Sequence, residues 1–294
     1  MSYSIGYLGP KGTFSQKAVE ALFPNQDVIS YQTIPACIDA VKQGHVKYSV
    51  VPLENTLEGT VNLTLDYLID EKSLKISSEL VIPVEQHFMV HPNQKERWRE
   101  TEKIYSHPHA LAQCHQFLNN QMKHAEVDAY PSTGAAAKFV SENPDEAIGA
   151  IANDQAAKEY NLEIIKANIH DFENNETRFI VLNKNGSALR MSDLKRQGFK
   201  TKVMISLPTD HAGALHQVLS AFAWRRINLS KIESRPMKIG LGRYYFIIDI
   251  DQKMDDVLIP NTIAEIEAIG CHVELLGSYP YYSIEKNKEE RDTV

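Results

Sequence analysis

A strand that feeds a polar turn, which in turn feeds a helix, recurs along roughly the first 182 residues, and this recurrence restricts the fold more than any other feature. Residues 4–8 form an apolar strand that runs into Gly9-Pro10-Lys11-Gly12-Thr13-Phe14-Ser15. A helix follows with Ala18, Val19, Ala21 and Leu22 inward, and Ser15 is its expected N-cap. Tyr48-Ser49-Val50-Val51-Pro52-Leu53 is β-branched and continuous, as buried parallel strands tend to be. It leads through Glu54-Asn55-Thr56-Leu57-Glu58-Gly59-Thr60-Val61 to a helix around residues 63–69. Lys103-Ile104-Tyr105 leads through Ser106-His107-Pro108-His109 to a helix carrying Ala110, Leu111, Cys114, Phe117 and Leu118, with Gln113 in its first turns. Residues 127–130 lead through Ser132-Thr133-Gly134 to a helix from Ala135 to Val140. Ala147-Ile148-Gly149-Ala150-Ile151 is a small-residue strand before a helix over 154–160.

Residues 34–43 make an amphipathic helix stopped by Gly44, and residues 80–90 alternate as one or two strands that cross to a second lobe. The pattern predicts a mostly parallel α/β array in two lobes, with the chain crossing near residue 80 and returning near 155–175. Ligands of such sheets bind beyond the C-terminal ends of the strands, so the cleft between the lobes is the expected site. Free N–H groups at the helix starts make the glycine-bearing turn a natural anion site. An ordinary tight turn reads equally well there. Gly6, Gly9 and Gly12 have the wrong spacing for a dinucleotide fingerprint, and no Gly-Lys-Ser/Thr closes a P-loop.

Asn174-Asn175-Glu176-Thr177-Arg178-Phe179-Ile180-Val181-Leu182 joins a polar turn to a buried strand and sets a hydroxyl, a guanidinium and a ring side by side. Periodicity then lapses to residue 202 while Lys184, Arg190, Lys195, Arg196, Lys200 and Lys202 accumulate, which reads as a solvated linker over 186–201. A new unit starts at 202. Val203, Ile205 and Leu207 alternate. Asp210 can cap a helix with Leu215, Val218, Leu219 and Phe222 on one face. Residues 229–234 are a strand turned through Pro236 to Gly242, and Tyr244, Phe246, Ile248 and Ile250 alternate in the next. Ile259, Ile263 and Ile266 mark a helix ending at Gly270, and Val273 and Leu275 mark a last strand. That order is βαββαβ, ferredoxin-like, over 202–280, with a charged tail over 281–294.

Charge and composition exclude several classes. A net charge of −7 offers no basic face for nucleic acid and repels an anionic substrate at long range, so any anion site must be local. Apolar content of 43% with no run near the ~20 residues of a membrane span indicates a soluble protein with a sizeable core. Cys37, Cys114 and Cys271 are odd in number and far apart, which fits neither a disulfide framework nor a metal site and suggests a reducing cytoplasm. The N-terminus has no signal-peptide pattern.

The chemistry left is narrow. His107 and His109 across a proline lack a clear third metal ligand, no Gly-x-Ser-x-Gly elbow occurs, and Cys114 lies on the apolar side of its helix. What remains is a cofactor-free cleft of hydroxyls, amides and helix N-termini. It suits a small carboxylate-bearing substrate and a reaction that needs positioning and one proton donor.

Five stretches carry a resemblance. The turn at Gly9–Ser15, Asn55-Thr56-Leu57-Glu58-Gly59-Thr60-Val61, Ser106-His107-Pro108-His109-Ala110-Leu111-Ala112-Gln113-Cys114, Ser132-Thr133-Gly134-Ala135-Ala136-Ala137 and Asn175-Glu176-Thr177-Arg178-Phe179 stand in the order seen in prephenate dehydratases. The C-terminal unit resembles the ACT domain of that family, with Gly213-Ala214-Leu215 and Glu233-Ser234-Arg235-Pro236 where its amino-acid-binding motifs fall. The resemblance covers about residues 4–280. Departures are small: His109 stands where Gln is common, and Ala152-Asn153 follows the small-residue strand.

The resemblance implies a two-lobed, periplasmic-binding-protein-like catalytic domain over 1–185, with its second lobe at about 80–160. It implies conversion of prephenate to phenylpyruvate, water and CO2 in phenylalanine biosynthesis, with no cofactor or metal. Thr177 would assist the leaving hydroxyl. Asn55, Ser106 and Gln113 would hold the hydroxyl and carboxylates with Glu54 beside them, and Thr13, Ser15, Ser132 and Thr133 would present helix N-termini. Arg178 reads as a counter-ion or a strand-end structural residue, and Phe14 and Phe179 as cleft walls or core. In the ACT-like unit the resemblance implies L-phenylalanine binding at a subunit interface of a homo-oligomer, a dimer or dimer of dimers. The alternative is a unit that only dimerises. Rival readings are an arogenate dehydratase, and a two-lobed ligand-binding protein without chemistry. Neither nucleic acid nor membrane is an expected partner.

Overall fold

A computed structural model of the chain describes residues 4–189, 191, 194–208, 211–238 and 243–284. It forms two compact units. One comprises residues 4–64 and 81–179 with residue 284; the other comprises 65–80 and 180–283.

In the first unit the chain runs β1 (Ile5–Leu8), α1 (Phe14–Leu22), β2 (Val28–Tyr31), α2 (Ile34–Gln43), β3 (Tyr48–Asn55) and β4 (Gly59–Thr60), then enters α3 (Asn62–Asp70) and β5 (Lys75–Pro83). β1 pairs in parallel with β2 and β3, with Ile5 opposite both Val28 and Tyr48. The continuous run of β3 is explained by burial on both faces, since Val50, Val51 and Leu53 are all at most 2% exposed. Residues 80–90, read as one or two strands, are two. The first begins earlier than the alternation suggested, at Lys75.

The second sheet is built from β6 (His87–Val90), β7 (Lys103–Ser106), β8 (Glu126–Ala129), β9 (Ile148–Ala152) and β10 (Glu163–Lys166), in the order β10-β6-β9-β7-β8. β7 is parallel to β8 and β9, whereas β6 is antiparallel to β9 and β10. The strand β10 was not foreseen, because residues 163–166 mix two isoleucines with charge at both ends. α6 (Thr133–Glu142) and α7 (Asp154–Tyr160) cover one face, where Ala136, Ala137, Val140 and Ala156 meet Ile148, Ala150 and Ala152. On the other face Phe117 and Cys114 meet Phe88, Ile104 and Ile151. Gly149 lies under the Phe88 ring. A Cβ there would sit 2.4 Å from Phe88 Cε2, so the small-residue strand is a close-packing requirement.

The helix expected after His109 is in fact two: α4 (Pro108–Ala112) and α5 (His115–Gln121), separated at Gln113 and Cys114. From β10 the chain returns to β11 (Glu176–Asn183), whose first residues lie beside β3, giving the order β11-β3-β1-β2.

The second unit contains β12 (Arg196–Ser206), α8 (Ala214–Trp224), β13 (Leu229–Pro236), β14 (Tyr244–Ile250), α9 (Leu258–Ala268) and β15 (His272–Ser283). The antiparallel order β13-β14-β12-β15, with both helices packed on a core of Val203, Ile205, Val218, Phe222, Ile248 and Ile266, is the expected βαββαβ arrangement. A register shift between Lys202 and Val203 against β15 leaves Leu275 36% exposed and buries Leu276 instead. Arg190, Asp210, Gly240, Gly242 and residues 285–294, to which the sequence assigned linker, cap, turn and tail, lie outside the described residues.

The linker expectation over 186–201 needs correction. β12 begins at Arg196, and β15 continues to Ser283, three residues past the expected boundary at 280. Lys200 and Lys202 are strand residues. The Lys200 ammonium meets the fully buried Glu79 at 2.7 Å, and Lys202 pairs with Asp249 directly across the β12–β14 ladder. A basic run looks solvated in sequence, but here its ammoniums are matched by carboxylates distant in the chain. Removing the cation beside a carboxylate that is 1% exposed is costly. Lys202→Ala is expected to destabilise the second unit by about 3–5 kcal/mol. Urea unfolding checks this, and a loss below about 1 kcal/mol would mean that the pair is not buried in solution.

Candidate active site

A cavity of about 380 Å³ opens in the first unit, lined from both of its sheets. The β1–α1 turn gives Leu8, Gly9, Thr13, Phe14 and Ser15. The end of β3 and its hairpin give Pro52, Asn55 and Glu58. The segment between β5 and β6 gives Val84 and Gln86, and β11 gives Thr177 and Phe179. The second sheet supplies His107, His109, Ala110 and Gln113 after β7, and Pro131, Ser132 and Thr133 after β8.

Two full helices start at this cavity. Thr13, not Ser15, caps α1: its hydroxyl oxygen accepts the Gln16 N–H at 3.4 Å while donating to the Pro10 carbonyl at 2.9 Å. The helix starts at Phe14, so Ser15 is a buried first-turn residue. Ser132 caps α6 by accepting the Ala135 N–H at 3.0 Å. The two starts are packed together. A Cβ on Gly134 would lie 2.5 Å from the Lys11 carbonyl oxygen, and the Tyr160 hydroxyl donates to that same carbonyl at 3.0 Å. Residues of both helix starts thus line one space, and helix starts, with their free N–H groups and dipoles, favour an anion.

Alternation sorts the residues of β11, where Thr177 and Phe179 share a face and Arg178 points the other way. On β3 and β11, Asn55, Thr177 and Phe179 line the cavity, whereas Glu54 and Arg178 do not. Glu54 and Arg178 instead pair with each other, Arg178 Nη1 donating to Glu54 Oε2 at 2.7 Å. Both were expected to hold substrate; the structure places them outside the lining, paired with each other. Ser106 is corrected as well. It is fully buried, donates to the Ile151 carbonyl at 2.6 Å and is no part of the lining. Phe14 is a wall, and Phe179, 1% exposed, is both wall and core.

Asn55 is held in one orientation. Its Oδ1 accepts the Leu57 and Glu58 N–H groups, both at 3.0 Å, so its Nδ2 must face the other way, and it lies 2.9 Å from Thr177 Oγ1. Asn55 therefore donates to Thr177, and the Thr177 proton is left for the cavity.

Gln86 escaped the sequence reading, whereas Gln113 was among the expected substrate-holding residues. Gln86, 3% exposed, and Gln113, 8% exposed, each carry a buried amide oxygen without a partner. Gln113 reaches the cavity from the end of α4, one helical turn beyond the lining residues His109 and Ala110. Gln86 is fixed through its backbone, its N–H donating to His170 Nδ1 at 3.4 Å and its carbonyl accepting the Ile169 N–H at 2.9 Å. Nothing in the sequence singles it out. His107, read as a loop histidine, caps the short α4 by accepting the His109 N–H on Nδ1 at 3.3 Å. Burial holds its pKa below the usual range, with His109 adding to that and Glu58 opposing it, so it is neutral at pH 7. His109 pairs with Glu58 at 3.1 Å. Among the described residues, no lysine or arginine is in the lining. Cys114 is fully buried outside it, its thiol pKa raised by burial.

In the second unit, Gly213 at φ +88° precedes α8, which opens with the buried Ala214 and the half-buried Leu215. Glu233, Ser234, Arg235 and Pro236 close β13. Glu233 pairs with Lys231, and Arg235 donates through Nε and Nη2 to Asp66 Oδ1 at 3.2 and 2.6 Å. No helix among the described residues is long and apolar enough to cross a membrane.

Residues 5–187 match the prephenate dehydratase family and residues 201–267 match the ACT domain. The chain belongs to the prephenate dehydratase family. It is 51% identical to the prephenate dehydratase of Bacillus subtilis (strain 168), over 95% of this chain and 99% of that one. Among solved structures, the prephenate dehydratase of Arthrobacter aurescens in complex with L-Phe is similar at TM-score 0.82 and 31% identity, covering 94% of this chain and 89% of that one. That of Staphylococcus aureus subsp. aureus Mu50 is similar at TM-score 0.79 and 27% identity, covering 95% and 100%. The resemblance read over about residues 4–280 and the match over 95% of the chain agree in extent.

His87, next to Gln86, gives the stability of the fold a pH dependence. Its Nδ1 accepts the Asn168 N–H at 3.1 Å, and burial lowers its pKa to about 4; Lys17 and His170 act in the same direction and Asp154 against it. The folded state thus requires the neutral ring. The stability this contributes is complete above the unfolded pKa of about 6.5 and is lost as pH falls towards 4, roughly 3 kcal/mol over that window. His87→Gln is expected to flatten the decline. Urea midpoints for both proteins between pH 7 and 4 check it; parallel declines would show that His87 does not titrate in this window.

Proposed function

We propose that this chain catalyses the decarboxylating dehydration of prephenate to phenylpyruvate. The carbon–carbon bond to the ring carboxylate breaks, its electron pair enters the ring, and hydroxide leaves from the opposite ring carbon. CO2 and hydroxide are released, the hydroxide takes up a proton from solvent to become water, and the ring becomes aromatic. Atoms and electrons balance without an oxidant or reductant, so the protein's task is to hold the dianion and help the hydroxide depart.

The observation that carries this reading is the Asn55–Thr177 pair. A threonine of ordinary pKa is a poor general acid, but its O–H, directed into the cavity by the Asn55 donor, strengthens as a hydrogen bond while charge grows on the leaving oxygen. The starts of α1 and α6, with Thr13, Ser15, Ser132 and Thr133, receive the carboxylates. Gln113 and Gln86 bring buried amides that gain partners when substrate enters. Catalysis belongs to the first unit. Sensing of L-phenylalanine belongs to the second, through Gly213, Ala214, Leu215 and residues 233–236 of a homo-oligomer, a reading supported by the L-Phe complex of the Arthrobacter relative. Feedback requires two states that bind phenylalanine unequally. Three buried free thiols fit action in the cytoplasm.

Release of phenylpyruvate from prephenate at neutral pH, suppressed by L-phenylalanine, is the expected result. Release without suppression removes the sensing role, and turnover of arogenate alone replaces the substrate. Thr177→Ala is expected to lower kcat at least ~100-fold with KM little changed, as loss of a contact made in the transition state should. Undiminished turnover in that variant would overturn the assignment of Thr177.

A further inference from the structure

Asn175 lies outside the cavity lining and is 2% exposed, yet it is polar on one side to no visible gain. Its Nδ2 is buried without a partner, a cost of about 1–3 kcal/mol that an apolar side chain of similar size would avoid. Its Oδ1, however, accepts from Asn55 Nδ2 at 2.9 Å. Its own carbonyl accepts the Val84 N–H at 2.9 Å, which anchors the backbone at that point.

The Asn55 amide has two hydrogens to give. Its carbonyl is committed to Leu57 and Glu58, so both hydrogens face Asn175 and Thr177, each acceptor 2.9 Å away. A third acceptor, the Glu176 carbonyl, stands at 3.2 Å. With Asn175 in place the NH2 plane is fixed and one hydrogen goes to Thr177. Without it, the amide stays tethered through its oxygen to Leu57 and Glu58, but its nitrogen loses one of its acceptors and rocks towards the Glu176 carbonyl. Thr177 would then lose its incoming hydrogen bond, and its own proton would no longer be forced into the cavity.

Resting on the proposed dehydration, we infer that Asn175 is a positioning residue for this reaction: it orients Asn55, which in turn sets the direction of the Thr177 hydroxyl. It acts on the departing oxygen through two other side chains and touches no substrate. The helix starts that receive the carboxylates do not depend on it, so its loss falls on turnover and spares binding.

The test is a double-variant cycle on prephenate turnover. Asn175→Ala is expected to lower kcat about 10- to 100-fold with KM within about threefold, as for a contact expressed in the transition state. Added to Thr177→Ala, it is expected to cost less than about twofold more, because residues acting through one group do not add. Equal losses in both backgrounds, a rise in KM alone, or unchanged kcat would each overturn the inference. Thermal melts accompany the assays. Should the alanine variant fail to fold, Asn175→Ser, which keeps an oxygen on a shorter arm, carries the same cycle with a smaller expected loss. A wild-type protein inactive on prephenate would sink the functional reading itself, an outcome distinct from an active enzyme indifferent to Asn175.

Discussion

The Asn55 amide is the interaction on which the site depends. It closes the turn after β3 with its oxygen and reaches β11 with its nitrogen. Next to it, the Thr56 N–H donates to the Glu176 carbonyl at 2.9 Å, so hairpin and strand are tied by main chain and side chain together. Because the turn fixes which end of the amide points where, hydrogen-bond polarity is set before any ligand arrives. On β11 the alternation that brings Thr177 and Phe179 to the cavity turns Arg178 away from it, where Arg178 meets Glu54. A carboxylate and a guanidinium are thereby kept out of the cavity and neutralise each other.

Around this tie, the second sheet is held by backbone contacts. The first turn of α6 packs on the Lys11 carbonyl so closely that only glycine fits at 134. The segment 169–171 grips both cavity glutamines: the Ile169 N–H donates to the Gln86 carbonyl, and the Asp171 N–H donates to that of Gln113 at 2.6 Å. Lys17 of α1 meets Asp154 of α7 at 2.7 Å. Preorganisation here comes from short, directional bonds between elements far apart in the chain.

That distance explains what the sequence revealed and what it hid. Strand and helix existence was legible from periodicity. Asn55, Thr13, Ser15, Ser132 and Thr133, which close or follow strands, line the cavity, as do Thr177 at the start of β11 and Gln113 at the end of α4. Ser106 was misplaced for an instructive reason. It also ends a strand, but its hydroxyl is spent on the Ile151 carbonyl, a partner 45 residues away. Glu54 and Arg178 needed the strand register to be sorted from their neighbours. Gln86 and Asn175 matter through partners that no local pattern reveals. Lys200 and Lys202 looked solvated because Glu79 and Asp249 are remote in sequence. Thr13 and Ser15 differ by two residues, and only the helix start, at Phe14, decides which one is the cap.

The absence of lysine and arginine from the lining fits the proposed chemistry better than a cationic clamp would. The substrate enters as a dianion, and a guanidinium on the ring carboxylate would bind it well. That carboxylate, however, surrenders its charge as CO2 forms, so such a contact is stronger in the ground state than in the transition state and would slow the reaction. Helix N-termini carry only about half a charge each and share it over several N–H groups, enough to seat the dianion against a chain of net charge −7. The negative charge moves to the departing oxygen, where the reading places the Thr177 hydroxyl. Weak, diffuse attraction where charge is lost and a directed donor where charge appears is the distribution that lowers the barrier. A neutral His107 conforms to it, since a protonated imidazolium would both restore a strong cation and forfeit the cap on α4.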